Sequence, residues 1–199
     1  EALAACGRAA ATLGQISAER VGSEMLKLLG APRCTRALEA MCRLSILPPD
    51  LVPPAALAAL GRLDAGDAAS RMAIFVAQGT DISLLQTGWR LSNSLRRQVE
   101  QFAKGAALAA EGNLKELAYR LPERKEDAIR IAAALGDWPE ERVLAATREA
   151  AGYAPGAFPL KGEDLIAAGI PKGPALGAAL RRLERDWIQS GFALDKQAL

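Results

Sequence analysis

The chain has 199 residues, half of them hydrophobic, with alanine and leucine dominant, few aromatics, a formal charge of +2 and no histidine. That length supports one or two domains around a real core, and the composition favours helix over strand almost everywhere. Near-neutral charge announces no nucleic-acid binder, so any basic surface must come from local clustering, and the missing histidine removes the commonest general base and most catalytic triads.

In chain order, Leu3, Cys6 and Ala10 fall at helical spacing, so the first dozen residues read as the end of a helix closed by Gly14. Ser17 then suits an N-cap and Glu19 the first turn of a second helix. Val21, Met25, Leu28 and Leu29 form its apolar stripe, and Gly30 and Pro32 end it. Thr35 to Leu44 gives another helix, with Leu38, Met41, Cys42 and Leu44 turned inward. The stretch "ILPPDLVPP" cannot be helical and marks a first boundary. A short helix follows over 55–63, and Asp67 caps the next through Met72, Phe75 and Val76. Another begins after Asp81, breaks near Ser92 and Asn93, and gives way to a longer one with Leu95, Val99 and Phe102 on its core face. Asn113 is expected to cap a helix through Leu117 and Leu121, followed by helices over 123–135 and 139–151. The turn-rich "AGYAPGAFP" is the second boundary. The expectation is an all-α fold: a multi-helical array over 1–48 and 49–152, then a small helical tail over 153–199.

Cys6, Cys34 and Cys42 show no C-x-x-C spacing, so they read as reduced, inert thiols of a cytosolic protein. No stretch approaches the ~20 apolar residues of a membrane span. The chain starts at Glu1 without methionine or a basic leader and reads as cut from something longer. No G-x-S-x-G elbow or G-x-x-x-x-G-K-[ST] loop occurs, and acidic residues are scattered beside Lys or Arg as solvated pairs, so stand-alone catalysis is not expected.

The densest punctuation lies in "DLIAAGIPKGPALGAALRR", where Gly169, Pro171, Gly173 and Pro174 form a hairpin between two helices. Backbone amides at Ile170, Lys172 and Gly173 can point into this turn at a positive helix end, an arrangement that holds phosphate without reading a base. Lys172 adds a charge, and Arg181 and Arg182 extend it along the next helix, at most one of them facing the same groove as Lys172. The alternative is a tight corner whose glycines only permit close packing. Trp89, Trp138 and Trp187 read as core rather than base-stacking residues, and Arg96, Arg97 and Lys104 as a solvated face.

Three segments, in order, carry a resemblance. "ISAERVGSEMLKLL" (16–29) resembles the I-S-x-E-R-[IV]-x-x-E-L neck motif of bacterial tRNA nucleotidyltransferases and poly(A) polymerases. "RLSNSLRRQVE" (90–100) resembles their body L-S-N segment, and "PLKGEDLIAAGIPKGPALGAALRRLERDW" (159–187) the tail motif of the CCA-adding members. The resemblance implies a class II enzyme of head, neck, body and tail, whose head motifs (G-G-x-V-R-D, D-x-D, R-R-D) and nucleotide-selecting E-D-x-x-R are absent from these residues. It therefore implies the back end of the enzyme. Its partners are tRNA or other RNA and the catalytic head; Mg²⁺, ATP and CTP belong to the full-length protein, and the location is cytoplasmic. By the same resemblance Glu19, Arg20 and Glu24 support the neck; separately, helical spacing and the cost of an unpaired charge beside the Val21 and Met25 stripe predict a buried or semi-buried ion pair of Arg20 with an acidic neighbour such as Glu24. Lys161, Gly169, Lys172, Gly173, Arg181 and Arg182 lie in the part that reaches the tRNA elbow. Gly22 departs from the family pattern, where larger residues are common.

Overall fold

The computed structural model describes Gly7, residues 14–63 and residues 65–199. The helix expected over the first dozen residues lies outside the described residues. Among the described residues there are eleven α-helices and no strand. They are α1 (Ala18–Gly30), α2 (Cys34–Arg43), α3 (Pro54–Arg62), α4 (Ala68–Ala77), α5 (Ile82–Trp89), α6 (Asn93–Ala110), α7 (Leu114–Arg120), α8 (Lys125–Gly136), α9 (Glu140–Gly152), α10 (Gly162–Ala167) and α11 (Pro174–Gln189).

Local chemistry explains most of the boundaries. The Ser17 hydroxyl accepts from the Arg20 amide at the start of α1, and Asp81 and Ser92 cap α5 and α6 in the same way. The proline corner ends where Pro54 takes the first position of α3, which needs no amide hydrogen. Asn113 departs from expectation. It precedes α7, but its side chain donates to Glu111 instead of capping the helix.

Helix α4 is the centre of the molecule: every residue from Ala69 to Phe75 is buried, because α1, α3, α6 and α8 all pack around it. Helix α6 lies along α4 and α8, burying Val99 and Phe102. Nearly all the buried hydrophobic residues from Met25 to Ala150 make one continuous cluster. Trp89 belongs to it, as expected of a core tryptophan.

The tail is held differently. Trp187, 4% exposed, packs edge-on against Tyr119 of α7 with ring centroids 5.3 Å apart, and Phe158 and Phe192 close around it. Glu184 of α11 accepts from the Tyr119 hydroxyl at 3.0 Å and pairs with Arg120 at 3.3 Å.

Asp67 ties two parts of the array together. Its carboxylate accepts from the Ser70 amide and hydroxyl, both at 2.8 Å, and pairs with Arg124 at 2.9 Å. Burial pushes this carboxyl up, but the bonds from Ser70 and Arg124 outweigh it and hold the group below its ordinary value. A depressed folded value gives stability that is present above the unfolded pKa and lost as pH falls through the folded one. Asp67→Ala should therefore cost about 1 kcal/mol at neutral pH, mostly the lost cap. The gap from the parent should narrow below about pH 4 as the parent's own carboxylate is protonated. Urea melts of both proteins at neutral and acid pH check this, and a gap that stays constant with pH would contradict it.

Candidate nucleic-acid interface

Helix α10 ends in a tight turn. The amide of Gly169 donates to the Ile166 carbonyl at 3.0 Å and that of Ile170 to the Leu165 carbonyl at 2.9 Å. The Ile170 amide is thus consumed inside the turn and is not offered to a ligand, which corrects the expectation from sequence. Gly169 sits at φ +95° and Gly173 at φ +137°, regions that side-chain-bearing residues rarely adopt. A methyl group added at either glycine meets nothing within 4 Å. Close packing therefore does not account for them; backbone conformation does.

Gly173 is the N-cap of α11 and contributes no side chain, and Pro174 takes the first helical position. Lys172, Gly173 and Pro174 are exposed at this end. Arg181 folds back along α11, its guanidinium placed where a side chain on Gly177 would meet Nη1 at 3.3 Å. It leans one turn toward the hairpin, because residues four apart share a helix face, while Arg182 points away by one residue's rotation. Both are exposed, and among the described residues no carboxylate lies within ion-pair distance of Lys172, Arg181 or Arg182. Lys161 is exposed too, and precedes α10. Its amide donates to Asp164 at 2.7 Å, and Lys196 pairs with the same carboxylate at 2.6 Å. Gly169, Lys172 and Gly173 thus share the hairpin, and Arg181 lies two turns into α11 with its guanidinium beside Gly177.

On α1 the charged residues pair differently from expectation. Arg20 is exposed and makes no ion pair with Glu24; that carboxylate pairs with Lys27 at 2.8 Å. Glu19 pairs with Arg90 at 3.3 Å, joining the first turn of α1 to the residue that ends α5. Arg20 adjoins the Val21 and Met25 stripe in sequence but not in space. Arg20 leans out of that face, so burial does not force a partner on it.

Gly22, the departure from the family pattern, and Arg71, which carried no sequence signal, hold α1 in place. Gly22 is buried where α1 crosses the end of α5, so close that an added Cβ would lie 1.9 Å from the Trp89 carbonyl oxygen. Arg71, 6% exposed on α4, donates from Nη1 to the carbonyls of Leu29 and Ala31 (the latter at 2.7 Å) and so closes the C-terminal end of α1. A buried arginine directed at helix-end carbonyls has no sequence signature, whereas a glycine amid a helical apolar stripe is a legible sign of close approach. Burial pushes the Cys34 thiol up, against the pull of Arg71, and burial also raises Cys42. Both thiols are therefore poor nucleophiles.

Arg96 pairs with Glu100 at 2.6 Å, while Arg97 and Lys104 are exposed on the same helix. Among the described residues no three Asp, Glu, Cys or His side chains converge as a metal site, and no helix is long and apolar enough to cross a membrane.

Residues 1–55 match the family model described as "Probable RNA and SrmB- binding site of polymerase A". The chain is also 31% identical to a CCA-adding enzyme of Limosilactobacillus fermentum (strain NBRC 3956 / LMG 18251), in an alignment that covers 64% of this chain. The chain spans about a third of that relative, 33% of its length. Both similarities fall on the class of enzyme that the three sequence segments resemble.

Proposed function

We propose that this chain is the RNA-binding neck, body and tail of a CCA-adding tRNA nucleotidyltransferase working in the cytoplasm, with nucleotide transfer performed by a head outside these residues. The observation that carries this reading is the similarity to a CCA-adding enzyme over 64% of the chain, joined to an RNA-binding family match over residues 1–55. In the proposal Mg²⁺, ATP and CTP bind with the head. The poly(A) polymerase reading shares the family match over 1–55. The CCA-adding relative and the tail motif favour CCA addition.

In this reading the hairpin end of the tail meets the tRNA backbone. Lys172 and Arg181 supply charge, with Lys161 and Arg182 on the flanks. The amides of Lys172 and Gly173 approach a phosphate because neither glycine carries a side chain. Lys172→Ala is expected to lower the salt slope of tRNA affinity by roughly 1, and equally for tRNAs of different sequence, because phosphates carry no base identity. Gly173→Val should weaken binding further, since φ +137° is strained for valine. Filter binding at two salt concentrations measures both. Parent-like binding by both variants would remove the hairpin from the interface, and a lack of salt-dependent tRNA binding by the parent would favour a protein-interaction module.

The isolated chain is further expected to add no nucleotide to tRNA lacking its CCA end when given Mg²⁺, CTP and ATP. Incorporation above a no-protein control contradicts the assignment of transfer to a missing head.

A further inference from the structure

A cavity of about 710 Å³ lies between α3, α8 and the start of α9, well away in sequence from the tail hairpin. Its floor is made by Ala133 and Ala134, small enough to leave room, and its aromatic wall is Trp138. Helical spacing places Arg130 one turn before that floor on the same face of α8, and Asp137 is the left-handed residue that caps the end of the helix. Arg62 enters from α3. Its Nε donates to the Ala134 carbonyl at 2.7 Å, a bond that leaves the two terminal nitrogens of the fork unspent. The Asp137 carboxylate stands 3.6 Å from the same Nε, and Glu140 lines the cavity beside it. Arg142 lies 3.7 Å above the Trp138 ring and fixes its orientation without lining the cavity.

We propose that this cavity holds one nucleotide unit, with the base against the Trp138 wall and the phosphate at Arg130 and the Arg62 fork. The volume falls in the range of small-molecule sites. Two arginines suit a phosphate, and carboxylates beside an aromatic wall suit the exocyclic amine of a base. A duplex backbone is a poor occupant, because Asp137 and Glu140 repel its continuous negative charge. The nucleotide comes either from an unpaired stretch of RNA or from a free nucleotide. The inference builds on the RNA-binding reading but uses a surface separate from the tail.

The test is Trp138 emission, because Trp89 and Trp187 are 3% and 4% exposed and respond little to added ligand. A ten-nucleotide oligo(C) and free CMP are titrated separately into the 199-residue chain and into the Trp138→Phe and Arg130→Gln variants, each first shown by circular dichroism to be folded. Arg130 is exposed, so its replacement leaves the fold intact. The expected result is quenching in the parent, none in Trp138→Phe, and roughly 3- to 10-fold weaker binding in Arg130→Gln, the loss of about one phosphate contact. Saturation by CMP alone assigns the cavity to a free nucleotide, and a response to oligo(C) only assigns it to an unpaired strand. Silence with both probes, quenching that survives in Trp138→Phe, or unchanged affinity in Arg130→Gln overturns the proposal. Filter binding of tRNA to the parent separates the two readings: retained tRNA binding with a silent cavity removes this proposal alone, and quenching without tRNA binding removes the tail interface alone.

Discussion

Gly22→Ala is expected to destabilise the protein by about 3 kcal/mol, the upper end of what overpacking usually costs. The added Cβ would sit 1.9 Å from the carbonyl oxygen of Trp89 and 2.6 Å from its carbonyl carbon. Both are backbone atoms at the end of α5, so no side-chain rotation relieves the clash; α1 and α5 must move apart. For a chain of this size the loss corresponds to a drop in Tm of roughly 6–12 °C. Gly88→Ala is the matched control. It lies in α5 beside Trp89, is exposed, and an added Cβ meets nothing within 4 Å. There alanine's better helix propensity should leave stability unchanged or raise it by up to about 1 kcal/mol. Thermal melts followed by circular dichroism compare the three proteins, and equal Tm values for Gly22→Ala and the parent would show that α1 does not depend on this crossing. Because α1 packs on α4 and α5, Gly22→Ala should also weaken any interaction that needs α1 held against them.

The second large effect is expected at Arg71. Arg71→Met keeps the apolar stem and removes the fork that closes α1, at a cost of about 3 kcal/mol for the loss of charge-assisted bonds to buried carbonyls. The cation sits where the negative end of the helix dipole favours it, which is how a buried charge is accommodated here without a carboxylate at ion-pair distance among the described residues. Arg71→Lys should recover only part of the loss, because a single ammonium on a flexible stem does not reproduce the planar fork. Urea unfolding of the two variants decides it. If methionine and lysine were both neutral, Arg71 would be a passive core residue. Arg20→Ala, by contrast, is expected to stay within about 0.5 kcal/mol of the parent, as an exposed residue without a close partner should.

Much of this molecule was legible in its sequence for local reasons. Ser17, Asp67, Asp81 and Ser92 announce helix starts because their side chains satisfy amides only a few residues ahead. The spacing of Met25 and Leu29, or of Val99 and Phe102, marks buried faces because helix geometry brings residues three and four apart onto one side. Pro174 marks a first turn because the missing amide hydrogen costs nothing there; Pro54, read from sequence as part of a non-helical corner, proves to open α3 for the same reason. The all-α class followed from such short-range signals, whereas the resemblance to nucleotidyltransferase segments rested on three motif stretches, 16–29, 90–100 and 159–187.

What only the tertiary structure decided involves residues brought together over long sequence distances. Arg71 closes a helix that ends some forty residues earlier, Glu19 selects Arg90 rather than a neighbour on its own helix, and Trp187 docks the tail through Tyr119. The charged neck residues show the difference plainly. Spacing allowed Arg20 to meet Glu24, but Lys27 took that carboxylate, since exposed pairs of similar reach differ little in energy. At the hairpin, composition showed that glycine was needed; only the backbone angles and the empty space around Gly169 and Gly173 showed that the need is conformational. The cavity beside Trp138 was invisible for the same reason, because its walls come from α3, α8 and α9, and no local pattern specifies how far apart those helices stand.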